Sequence, residues 1–280
     1  ENDMLLAEFN GRSPAALATL ISDQSSNRAE LDRAGRLIEN ARYAIRTIAE
    51  DTQLAGYWGE MTSSPSAPAA MPNPCSTALA DIEAGIGLHV QGYDNVDTTT
   101  LATLTCLSEV KTGTDILVVR HAATDRIDVA TAADLDGASP ARLTGGKVYI
   151  QTGLNSVNTF SAIVKAGATG SNATNFTLVK RDGKPASLRE VLVRIYHVSN
   201  CSVPVSGSCA AADGGNPIPT LKMTELTIDS GALAWNTVTI AEGIENMQVE
   251  YGLDSDGDGA PNGSDSNGST FTVANWPVVV

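Results

Sequence analysis

From Ser13-Pro14 to Gly56 no proline interrupts the chain, and this stretch constrains the fold more than any other. Serine is a favoured N-cap and proline suits the first helical turn, so the pair reads as a helix start. Leu31, Ala34, Ile38, Ala41, Ile45 and Ile48 recur at alternating steps of three and four, which places them on one stripe of a helix. Arg28, Glu30, Arg33, Arg36, Glu39, Arg42, Arg46 and Glu50 fall largely off that stripe. A helix of this length with one apolar face needs a surface to lie on, and the rest of the chain has to supply it.

The stretch MTSSPSAPAAMPNPC, residues 61–75, is a Pro/Ser/Ala-rich connector that cannot continue the helix. Beyond it come strand-like runs broken by Gly, Asn and Asp turns: GLHVQGY, DILVVRHA, KVYIQT, FSAIVK, FTLVK, EVLVRIYHV, TLKMTELTI, NTVTIA, MQVEYGL and FTVANW. There is no repeat of fixed period and no second helix of comparable length. The reading is α+β: one long amphipathic helix whose stripe packs on antiparallel sheet. With 280 residues and 42% hydrophobic content the chain can bury a real core. Residues 1–27 read as a trimmed or added stub with the helix start, and residues 28–280 as a head.

Eighteen basic against thirty-two acidic residues give a net charge of -14. That balance argues against nucleic acid or an anionic membrane surface as a partner, since both are held through basic patches. Four cysteines form a wide pair, Cys75 and Cys106, and a close pair, Cys201 and Cys209. The short C-x-x-C hooks that zinc favours are absent, so two disulfides between sequence neighbours are expected, with free cytosolic thiols as the alternative. In the loop-entropy account the larger ring would stabilise by about 3.5 kcal/mol and the smaller by about 2.5. Disulfides imply an oxidising space such as the periplasm or the cell exterior. No apolar run reaches the length of a membrane span and no complete signal peptide opens the sequence, which fits a mature or trimmed form.

Near the C-terminus the chain reads DSDGDGAPNGSD, residues 254–265. A twelve-residue calcium loop draws oxygen ligands from positions 1, 3, 5, 7, 9 and 12, with glycine at 6 for the sharp turn. Those positions are Asp254, Asp256, Asp258, Ala260 through its backbone carbonyl, Asn262 and Asp265, with Gly259 sixth. The twelfth position, usually a bidentate glutamate, is here a shorter aspartate. The flanks VEYGL and NGSTFTV read as strand and turn, so the loop stands outside a helix-loop-helix setting. A solvated acidic turn is the alternative; the ligand register favours calcium.

Catalytic signals are thin. His89, His121 and His197 coexist with many serines and aspartates, but G-x-S-x-G, H-E-x-x-H and a phosphate loop are all missing. Each histidine falls in a strand-like run and reads as an ordinary sheet residue, so no enzyme is expected. Trp58, Trp235 and Trp276 could form a binding platform, though packing suits rings this scarce better. The arginine row on the helix is a solvated face in a monomer and a possible contact in a filament.

IENARYAIRTIAEDTQLAGYWG, residues 38–59, resembles the segment after the membrane-spanning part of the helix in PilW-type minor pilins of bacterial type IV pili. GYDN at 92–95, GTDILVVR at 113–120, RIYHVSNC at 194–201 and IENMQVEYGLDSDGDG at 244–259 are similar to successive blocks of that family, in its order. The resemblance implies a pilin fold with a disulfide-stapled variable region and a structural role. That role is to prime pilus assembly at the inner membrane, in the periplasm, and then to sit at or near the tip of the extracellular pilus. Implied partners are other minor pilins, the major pilin and a tip adhesin, with the inner membrane engaged through an N-terminal apolar helix that this sequence does not show. A calcium-dependent, adhesin-like binding module and a type II secretion pseudopilin are the alternatives.

Overall fold

The computed structural model describes residues 14–61, 68, 70–136, 143–154, 160–167, 171–253 and 263–265. The chain opens with α1, Pro14–Gln53, forty residues or about 60 Å of helix. It leaves the helix through a turn in which Gly56 takes φ 76° and donates its N–H to the carbonyl of Arg120 at 3.0 Å. A Cβ at Gly56 would run into the His89 ring, so glycine is needed both for the backbone angle and for the close approach.

The strands are β1 (Val90–Tyr93), β2 (Ile116–Ala122), β3 (Val148–Leu154), β4 (Phe160–Ala166), β5 (Leu188–Ser199), β6 (Thr220–Asp229) and β7 (Ala232–Glu242). All pair antiparallel. β5 is the spine. Along one edge β2 pairs with residues 191–196, and β1 lies outside β2. The other edge is shared, with β3 and then β4 beyond residues 188–190, and β6 and then β7 beyond residues 194–199. Two small strands, β8 (Tyr251–Leu253) and β9 (Gly263–Asp265), form a separate antiparallel pair.

β2 is buried at every residue, as a strand covered on both faces must be. Ile116, Val118 and Ala122 point one way, into a core with Trp58, Ile82, Ile86, Leu104, Val193 and Ile195. Leu117 and Val119 point the other way, toward Leu88, Tyr196, Tyr251 and the helix residue Ile48. The sheet therefore lies between α1 and a loop layer that includes the short helices α2 (Leu79–Ala84) and α3 (Thr98–Leu101).

The helix does not lie down along its whole expected stripe. Every side chain from Ala18 to Glu39 is exposed, and Leu31, Ile38 and Ile45 are 72%, 55% and 70% accessible. The face that packs runs through Asn40, Ala44, Ile48 and Asp51. Asn40 donates to the Glu242 carbonyl at 3.0 Å, and Ala44 is buried against Leu221 and Ala241. Side-chain size shifts the contact: small Ala44 lets β6 and β7 approach through Leu221 and Ala241, where Ile45 would hold them off.

Other boundaries also move. The helix ends at Gln53, three residues before Gly56. FTLVK at 176–180 is no ladder strand: Phe176 is buried with Val129, Leu135 and Leu188, and Val179 makes a single bridge to Pro185. MQVEYGL enters a ladder only at Tyr251. Residues 244–250 form a strap, held where Asp115 donates its N–H to Met247 at 3.0 Å and accepts from Val249 N–H at 2.7 Å. FTVANW lies outside the described residues.

Candidate assembly surface and calcium loop

Where α1 meets the sheet, a polar cluster is built into an otherwise apolar contact. Asp51, one turn beyond Ile48, is 4% exposed and faces β2 and β5. Its Oδ1 meets His121 Nε2 at 2.8 Å and accepts from Arg194 Nη1 at 2.6 Å, while Oδ2 accepts from the Tyr196 hydroxyl at 3.1 Å. Arg194 turns its Nε to Glu225 on β6 at 3.2 Å. Burial works to raise the Asp51 carboxyl, but the His121 hydrogen bond and the Arg194 charge outweigh it and hold it below the ordinary aspartate value. Burial and the adjacent Asp51 charge push the Tyr196 phenol well up, so the hydroxyl stays a donor. The cluster fixes the angle at which α1 leaves the head.

Of the three histidines, His121 and His197 are buried and His89 is half-buried. His121 belongs to this cluster, with its Nδ1 2.9 Å from the Ala122 carbonyl. His197 is buried in β5 opposite Lys222; burial and then the Lys222 charge lower it to about 4, so it is neutral. His89 precedes β1 under the Gly56 turn, and burial, followed by the Arg120 charge, lowers it too. Arg120, fully enclosed, donates to the Leu88 carbonyl and to Gln91 Oε1, and burial lowers it to about 10. Trp58 is core, and Trp235 donates its indole N–H to the Cys75 carbonyl at 2.9 Å, tying the loop layer to β7. Trp276 lies outside the described residues.

Both disulfides join sequence neighbours. Cys75 and Cys106 are bonded with Cα atoms 5.3 Å apart, and Cys75 belongs to the core. Cys201 and Cys209 are bonded at 5.5 Å and close a small loop beyond β5. Asp213 caps that loop by accepting from the N–H groups of Ser202, Val203 and Ile218. Val203 and Val205 stand out at the tip, 65% and 50% exposed.

Of the calcium-type residues, Asp254, Asp256, Asp258, Ala260 and Asn262 lie outside the described residues. What is visible is the frame. β8 and β9 pair with Leu253 opposite Gly263 and Tyr251 opposite Asp265, so the twelfth loop position sits on a strand and residues 254–262 connect two antiparallel neighbours. Among the described residues no group of three or more His, Cys, Asp or Glu could hold a metal.

The remaining feature is the projecting part of α1. Leu20, Ile21, Leu31 and Ile38 are exposed along it, as are Arg28, Arg33 and Arg36. No helix among the described residues is long and apolar enough to cross a membrane. Asp51 and Arg194 did not stand out in the sequence. The available signal was that Asp51 keeps phase with Ala44 and Ile48, placing an acid on the packing face.

Residues 196–280, from β5 through β6, β7, the strap and the calcium-type loop, match the family described as type IV pilus-assembly protein W. The match supports a PilW-type pilus protein. No curated protein and no solved structure gives a match.

Proposed function

We propose that the chain is a pilin-fold minor subunit that primes type IV pilus assembly and takes a place at or near the pilus tip. The family match over residues 196–280 carries the reading. The geometry supports it: the earlier part of α1, with leucine, isoleucine and arginine side chains exposed, extends from a disulfide-bonded head, as a subunit that packs by its helix requires. Its partners are other minor pilins, the major pilin and a tip adhesin, and its place is the cell envelope and then the pilus. No reaction is assigned to it. Deleting the gene should reduce surface pili while pilin synthesis continues; a deletion strain with normal piliation, twitching and adhesion overturns the reading.

The loop at 254–265 is proposed as a structural calcium site. The support is the ligand register in the sequence and the β8–β9 frame that brings its two ends together. Calcium accepts the irregular oxygen shell that a short Asp265 and a backbone carbonyl would supply, whereas magnesium asks for near-ideal octahedral geometry. Calcium at one hundred times its dissociation constant would add about 2.7 kcal/mol of stability. A chelator should then lower the melting temperature of the native head and barely affect Asp256→Ala, which should already melt low. Equal shifts in both proteins, or no calorimetric binding, would reduce the loop to an acidic turn.

A further inference from the structure

Between the last turns of α1 and the strap lies a mainly apolar groove of about 610 Å³. Ile45, Ile48 and Thr52 form one wall, Met247, Val249 and Tyr251 the other, and Leu117 is among the residues lining it between them. Ile45 is 70% exposed there, an apolar residue on an apolar wall with nothing over it among the described residues. We propose that the groove is filled by this chain's own C-terminal run, residues 271–280, FTVANWPVVV, with Trp276 seated in it.

Three observations converge on that occupant. First, the chain is delivered to the rim: Asp265, the last described residue, is paired opposite Tyr251, itself a groove residue. Second, the reach is sufficient. The six residues from Asp265 to Phe271 can span up to about 20 Å, whereas the helix wall from Ile45 to Thr52 is only about 10 Å long. Third, the chemistry matches, since 271–280 holds Phe, Trp, Ala, Pro and four Val against two polar residues, and carries no charge. Burying such side chains is favourable by roughly 25 cal/mol per Å² of apolar surface. Tethering six residues from the rim also makes the run a far more concentrated occupant than a separate molecule. Gly92 on β1 lets the Tyr251 wall sit close to the sheet, since a Cβ there would overlap the Tyr251 hydroxyl.

The full-length chain labelled with 5-fluorotryptophan tests this by fluorine NMR. It should give three resonances, that of Trp276 being identified by its loss in Trp276→Phe. In the native protein the Trp276 resonance should lie away from the free-label position and be protected from a soluble paramagnetic quencher. Ile45→Asp or Ala49→Asp, both at exposed groove positions, should move it to the free position and remove the protection, while Leu31→Asp on the projecting helix should not. Unmoved Trp58 and Trp235 resonances report that the head is intact, and either groove variant that passes this check suffices. A Trp276 resonance at the free position in native protein, or one that ignores both groove substitutions, overturns the proposal. So does protection that vanishes on dilution, because the occupant would then be a second copy.

Discussion

Asp51 shows how one residue can set the geometry of a whole protein. Buried carboxylates are costly unless paired, and here the pairing residues come from two strands, so the helix is held in one orientation. Asp51→Asn keeps the shape but removes the charge facing Arg194 and His121, and should cost about 3 kcal/mol in denaturant unfolding. Two acid windows follow from the buried groups. His197 is lowered from 6.5 to about 4, so the unfolded chain binds the extra proton first, and its contribution is fully present above pH 6.5 and lost as pH falls toward 4. Asp51, also lowered, contributes above the ordinary aspartate value and loses that contribution below it. Unfolding free energies measured from pH 7 to 3 should fall in both windows, and His197→Gln should flatten only the first. An unchanged slope in His197→Gln would mean that His197 is not the titrating group.

At the scale of elements, α1 divides into a last third that docks and an earlier part whose side chains are exposed. Ala44→Leu should overpack the contact with Leu221 and Ala241 and cost roughly 1–3 kcal/mol. Ile38→Asp, on the exposed face, should leave stability within about 0.5 kcal/mol yet weaken pilus assembly in complemented cells. The reverse ranking in thermal melts and pilus counts would show that the sequence stripe, not the Ala44 face, is the docking surface. The strands were easier to read from sequence than the helix contact. DILVVRHA and EVLVRIYHV are rich in Val and Ile, with no Gly or Pro, and they form the two central strands β2 and β5. Which helix face is buried was not legible, because it depends on partners 70 and 145 residues away, His121 and Tyr196, that no local period reports. The strap was misread for a related reason: its alternation is that of a strand, but through residue 250 it is anchored by Asp115 rather than by a ladder.

Among the described residues the molecule is a head with covalent staples at its loop layer and beyond β5, and a long helix whose last third docks on it. Cys75–Cys106 closes the larger ring, and replacing both cysteines by serine should lower stability by about 3.5 kcal/mol in the loop-entropy account. That loss would be seen as a lower denaturation midpoint with a somewhat steeper slope, because the unfolded chain without the crosslink exposes more surface. The register of oxygen donors proposed for calcium is a feature of the sequence, whereas its frame was not legible there, since Asp265 lies on a strand paired with Tyr251–Leu253. The central claim concerns membership of a filament, and composition of the filament tests it most directly. Pili sheared from cells and purified away from membranes should yield peptides of this chain by mass spectrometry at far lower stoichiometry than the major pilin. Pili free of this chain, with the protein recovered in another compartment of the same cells, would contradict the account.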